Sequence, residues 1–132
     1  MRTRTVLRGV AATALTLSAL GLGMGTASAD GWKDGYLDNT EFGLFCKANY
    51  QNSVFDLSAT DEDFGDDFFK GSRSCAGQMV NENTQSYINN SCGFYVWTNA
   101  GMWGDKGFIP EGHRGNASAT FKQRISSAAR NC

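Results

Sequence analysis

The sequence predicts an all-β sandwich: one small exported domain, stapled by two disulfides. Three observations carry that reading. Short apolar or aromatic segments recur along the chain ("FGLFC", "SVFDL", "FYVWT", "GFI"), separated by turn-rich pieces such as "ANYQNS", "NAGMWGDKG" and "PEGHRGNAS". Close spacing of short strands with turn chemistry between them is the pattern of a sandwich, and no long stretch keeps apolar residues at helical spacing. Four cysteines, Cys46, Cys75, Cys92 and Cys132, are dispersed through a small chain. An even, scattered set in a secreted domain reads as two bridges, whereas zinc needs clustered ligands and His113 is the only histidine. The third observation is the start of the chain, which has the layout of a secretory leader.

That leader is residues 1–29. Arg2, Arg4 and Arg8 form its basic start, "VAATALTLSALGLGMG" its apolar run, and "ASA" at 27–29 the small residues before a cut after Ala29. The run is short for a membrane span and broken by glycines, so cleavage rather than anchoring is expected. The expected mature chain, Asp30–Cys132, is 103 residues long and extracellular. The leader holds three of the 12 basic residues and none of the 13 acidic ones, which leaves a net charge of −4. A mildly acidic domain without basic blocks is a poor partner for nucleic acid or an anionic membrane, and neither is expected.

Next come residues 30–40, "DGWKDGYLDNT", which read as a loosely held lead-in, and then the domain proper, 41–132. Within it "ASATFKQRISSAA", 117–129, fits the strand pattern least and has the option of a short helix before the last strand.

The domain repeats itself. "FCKANYQN" (45–52) and "WTNAGMWG" (97–104) each show an aromatic, four residues, a large side chain, one residue, then Asn or Gly. The members are Phe45, Tyr50 and Asn52 in the first copy, and Trp97, Met102 and Gly104 in the second. "SYINNSC" and "SSAARNC" both run from Ser (Ser86, Ser126) to Cys in six steps. Two tokens in the same order indicate an internal duplication, with repeats at about 41–92 and 93–132. Physically, an aromatic ending one strand can fold over the hairpin that follows. The last position must turn tightly at positive φ, where glycine is unstrained and asparagine next best. The repeated serine can tie that hairpin through its hydroxyl. Trp103 falls at the variable position and is left without a role.

This pattern resembles the βγ-crystallin signature. More closely, "EFGLFCKANYQNSVFDL…FKG…GQMVNENTQSYINN" followed by "FYVWTNAGMWGDKG" is similar to the actinobacterial secreted peptidase-inhibitor family thirty-six, the Streptomyces metalloproteinase inhibitor group, over about 41–132. The resemblance implies a βγ-crystallin-like sandwich of two Greek-key motifs. It also implies a stoichiometric inhibitor of an extracellular protease, a metalloprotease in the first instance, rather than an enzyme. In a Greek key the fourth strand returns beside the first. Cys132 would therefore sit near the strand that starts after Cys92, and Cys46 would be left for Cys75, although four cysteines allow three connectivities.

Hydrolytic machinery would have to be built around His113 alone, which sits in a turn, so no catalytic group and no cofactor are expected. "DEDFGDD" (61–67) reads as a solvated acidic loop. Calcium-binding crystallin relatives use two Asn/Asp residues, two others, then Ser/Thr and Ser. Here "NENTQS" supplies Asn81, Glu82 and Ser86 with Gln85 in place of a hydroxyl, while "KQRISS" puts Lys122 and Gln123 at ligand positions. A lysine there repels the ion, so no metal is expected.

The stretch "KGSRSCAGQMV" (70–80), centred on Cys75, is the candidate inhibitory loop. A disulfide-braced loop binds at reduced entropic cost, and Arg73, Ser74, Cys75, Ala76 and Met79 are its candidate contacts. Two alternatives from other classes are a killer-toxin-like antimicrobial or carbohydrate-binding protein using Trp32, Trp103 and Tyr95, and a structural stress protein.

Overall fold

The computed structural model describes residues 32–132; the expected leader, with Asp30 and Gly31, lies outside the described residues. Among the described residues seven strands form two antiparallel sheets. They are β1 (Phe42–Phe45), β2 (Val54–Leu57), β3 (Ser86–Asn89), β4 (Gly93–Asn99), β5 (Trp103–Ile109), β6 (Arg114–Asn116) and β7 (Ser127–Asn131). One sheet has the order β2-β1-β3-β6 and the other β5-β4-β7.

Both halves are Greek keys. In each, the last strand returns to lie beside the first: β3 pairs with β1, and β7 with β4. The third segment of each half crosses over. β6, from the second half, pairs with β3 in the first sheet, and Asp61, from the first half, makes a two-hydrogen-bond bridge to Ala128 of β7. Each half thus supplies an edge to the other, which stops the halves from sliding apart.

The core lies between the sheets and follows the two-residue period of the strands. Phe42, Leu44, Phe55 and Leu57 from one sheet meet Phe94, Val96, Ile109 and Ala128 from the other, with Phe64, Phe69, Val80 and Ile125 filling in from the connections. Phe42 stacks on Phe94 across the gap at 4.6 Å between ring centroids, and Phe64 meets Phe55 edge-on at 5.2 Å. Asn89, wholly buried, keeps its polar atoms paired: its Nδ2 donates to Cys92 O and Ile109 O, and its Oδ1 accepts from Ser91 N. It fixes the link between the halves to the end of β5.

The lead-in corrects the expectation. Residues 33–38 are tied down, not loosely held, and they explain why β1 and β2 are buried on both faces. Gly43 faces the lead-in, and Leu37 lies so close that a Cβ at residue 43 would come within 2.9 Å of it. Asp56, opposite Gly43 in register, is fully buried, and its carboxylate accepts the N–H groups of Asp34 and Gly35 at 3.0 and 2.7 Å. Lys33 N donates to Asp56 O, extending the covering along β2. A buried carboxylate is expensive unless hydrogen-bonded, and here the lead-in backbone satisfies it.

The option of a helix over 117–129 is not taken. Ser118–Arg124 make consecutive turns, and the chain is already extended in β7 from Ser127.

Candidate functional site

The two repeated hairpins establish what belongs to the fold and what is extra. Positive φ recurs at three matching places, Asn49/Gly101, Tyr50/Met102 and Asn52/Gly104. At Gly104 φ is +88°, and a side chain would also run into Thr98 Oγ1, so two constraints select glycine. In the first copy Ser86 Oγ donates to Lys47 O at 2.6 Å and accepts from Tyr50 N at 2.9 Å. In the second copy these bonds are made by Ser127, not by Ser126: Ser127 Oγ donates to Asn99 O and accepts from Met102 N. Ser126 instead uses its backbone, donating to Trp97 O and accepting from Phe64 N. The equivalent of Ser86 is therefore Ser127 and not Ser126, because the second copy is one residue shorter between this serine and its cysteine.

With Ser127 as the marker, the repeats differ in length at one place. From the end of β2 to Ser86 is 29 residues; from the end of β5 to Ser127 is 18. The first repeat carries about 11 extra residues there, and the candidate loop lies within that longer connection. Its base is fixed to the core by buried Phe69, Cys75 and Val80. Cys75 is bonded to Cys46 at the end of β1, and the other disulfide joins Cys92 to Cys132.

A second brace holds the loop. Asn52 occupies its left-handed position with φ +72°, and its side chain reaches the loop: Oδ1 accepts from Cys75 N at 3.0 Å and Nδ2 donates to Ser74 Oγ at 2.9 Å. Internal turns complete the frame, with Ala76 N donating to Arg73 O, Gln78 N to Cys75 O, and Gly77 N to Phe69 O. Of the candidate contact residues, Arg73, Ser74 and Met79 are exposed, Met79 to 40 %. Ala76 is half-buried, and Cys75 at 1 % exposure can brace the loop but cannot touch a partner.

The acidic run beside the loop is more than a solvated loop. Lys33 of the lead-in sits between Asp61 and Asp67, with Nζ at 2.7 and 3.0 Å from their carboxylates. Asp63 Oδ1 accepts from Gly65 N in a tight turn that drives Phe64 into the core. Burial and a hydrogen bond to Asp61 push Asp67 up to about 7, so the pair shares a proton near neutrality. Burial also works against charge on Asp61, but the hydrogen bond with Asp67 and the Lys33 ammonium hold it below the ordinary carboxylate range. Burial lowers Lys33, and the two aspartates more than offset this. Glu41, 2 % exposed, is pushed up to about 7 by burial and by the charges of Asp56, Asp38 and Asp34, against the hydrogen bond it accepts from Asp38 N.

The remaining candidates lie elsewhere. Trp103 is 73 % exposed at the start of β5. Tyr95 lies beneath Lys106, whose Nζ is 4.2 Å from the ring centroid, and next to the half-exposed Phe108. Trp32 is also exposed and stacks under Lys33. The cleft that Arg73 of the loop lines includes none of these three aromatics. His113 is exposed and contributes its carbonyl to Asn89 N. Among the described residues no group of three or more His, Cys, Asp or Glu side chains gathers to hold a metal ion.

No protein-family model matches the chain, and no curated protein matches it. Solved structures do. A βγ-crystallin from Ciona intestinalis superposes with a TM-score of 0.55 at 14 % identity, over 69 % of this chain and 99 % of its own. A structure described as "Evolution of the eye lens beta-gamma-crystallin domain fold" gives 0.56 at 14 %, over 75 % and 91 %. A βγ-crystallin from an archaeon gives 0.55 at 13 %, over 71 % and 100 %. The fold is that of the βγ-crystallins, and identity this low carries the fold alone.

Proposed function

We propose that the protein is a secreted inhibitor of an extracellular peptidase, a metalloprotease by the family resemblance, acting by stoichiometric binding through the loop at 70–80. The observation that carries the reading is the double brace. A segment extra to the repeat is pinned at Cys75 by a disulfide and by Asn52 Oδ1, while Arg73, Ser74 and Met79 remain exposed. Binding orders the groups that make it, so a loop already held in one shape loses less entropy in a cleft. The motif resemblance points the same way, and two disulfides suit an oxidising, extracellular setting. The expected exposed anchors are Arg73 and Met79, in keeping with the small number of residues that dominate such interfaces.

Titrating a thermolysin-like and a subtilisin-like enzyme with the protein tests this reading. The expected result is loss of one activity at a one-to-one endpoint, with the protein recovered uncleaved. Full activity of both enzymes at molar excess overturns it. A second reading, cell-surface carbohydrate binding of the killer-toxin kind, is favoured by Trp103, which lies outside the buried core and is largely exposed. It expects binding to cell walls that falls in Trp103→Ala.

A further inference from the structure

Between the lead-in, the β1–β2 hairpin and the start of the 70–80 loop lies an open cleft of about 460 Å³. That is within the range of roughly 300–1,000 Å³ in which proteins hold small ligands. Its walls are fixed. Gly35 is clamped by the Asp56 carboxylate, Tyr50 N is bonded to Ser86 Oγ, and Lys70 Nζ donates to Lys33 O.

Three features of the lining point to one class of ligand. The first is charge. Lys70 and Arg73 line the cleft and no acidic residue does, although acids outnumber bases in the whole protein. Arg73 makes no side-chain hydrogen bond or ion pair with a described residue, and Arg114 lies nearby over the Tyr50 ring at 5.6 Å. The second is aromatic surface: Tyr36, 74 % exposed, and Tyr50 both line the cleft. The third is an unused polar atom. Ser53 also lines the cleft, is 4 % exposed, and its hydroxyl has no hydrogen-bond partner among the described residues. Buried hydroxyls are nearly always paired, so this one, which has almost no accessible surface as it stands, gains a bond if Ser53 turns its hydroxyl into the cleft.

We propose that this cleft binds a sugar ring bearing a carboxylate, the kind of residue found in acidic cell-surface polysaccharides. Arg73 faces the carboxylate with a planar fork suited to it, the tyrosines offer faces to the apolar side of the ring, and Ser53 and the cleft's polar rim meet ring hydroxyls. A bare anion has no use for the tyrosine walls, and a neutral sugar has none for the cations. The site does not rest on peptidase inhibition: a protein that blocks no peptidase can still carry it.

The test follows backbone amide shifts while the protein is titrated with glucuronate, methyl glucoside, acetate or a short glutamate-containing peptide. Glucuronate is expected to shift residues 35–37, 50–54 and 70–73, with methyl glucoside and acetate far weaker. Arg73→Gln and Tyr36→Ala, both exposed and so harmless to folding, are each expected to weaken glucuronate binding about tenfold. Ser53→Ala is expected to weaken it with no loss of stability, because the hydroxyl it removes is unpaired in the fold. Equal binding of acetate or methyl glucoside, tighter binding of the peptide, or shifts confined to other residues overturns the proposal.

Discussion

Ser127 shows how a single hydroxyl holds a hairpin of this fold. Its Oγ takes the Met102 N–H and gives its proton to Asn99 O, and the residue is fully buried. Ser127→Ala leaves two backbone groups unpaired and is expected to cost about 1–3 kcal/mol in chemical denaturation. Ser126→Ala, one position away and without these bonds, is expected to cost clearly less. Glu41 gives a pH signature. Its carboxyl is held up to about 7 in the fold, while an unfolded glutamate titrates near 4.5. The folded state therefore binds the proton more tightly. The contribution is fully present below the unfolded value and is lost as pH rises through about 7. Stability is expected to fall by on the order of 3 kcal/mol between about pH 4.5 and 8 from this group. Asp67, also raised to about 7, adds in the same sense. Glu41→Gln keeps an acceptor for Asp38 N and is expected to flatten the profile and stabilise the protein at pH 8. An unchanged pH profile in Glu41→Gln would count against the assignment.

At the scale of elements, the loop at 70–80 depends on a residue outside it. Asn52 satisfies a left-handed turn, which glycine would do equally well, but only asparagine also bonds Cys75 N and Ser74 Oγ. Asn52→Gly is therefore expected to keep the hairpin while loosening the loop. Hydrogen exchange should quicken at Cys75 by about tenfold or more and change little at Tyr50, whose N–H is held by Ser86. Uniform loss of protection across both sheets would mean that Asn52 serves only the hairpin. The lead-in depends on its neighbours in the same way. Leu37 fills the space over Gly43, Asp56 holds its backbone and Lys33 pins it to the Asp61–Asp67 pair. None of these three contacts follows from the sequence of the lead-in alone.

For the whole molecule, the sheets, the Greek keys and the hairpin turns were legible because they repeat. Phe45 and Trp97, or Asn52 and Gly104, obey one local geometry twice, and a pattern stated twice can be read without coordinates. The exchange of edge segments was not legible, since Asp61 meeting Ala128 is a long-range pairing with no local marker. The lead-in was misread because Gly and Asp suggest a loop until a buried Asp56 is seen to receive them. The candidate site was legible as a cysteine-centred loop, but its second brace was hidden inside a residue already assigned to the fold.

In the proposed inhibition the braced loop is the face that meets a partner. Inhibition titrations with three forms of the protein test it most directly: the unaltered chain, Trp103→Ala, and Arg73→Ala combined with Met79→Ala. The first two are expected to titrate one extracellular peptidase at one to one. The double variant is expected to bind at least about tenfold more weakly, a loss of roughly 1.4 kcal/mol or more. Equal inhibition by all three, or loss of inhibition in Trp103→Ala alone, would contradict it.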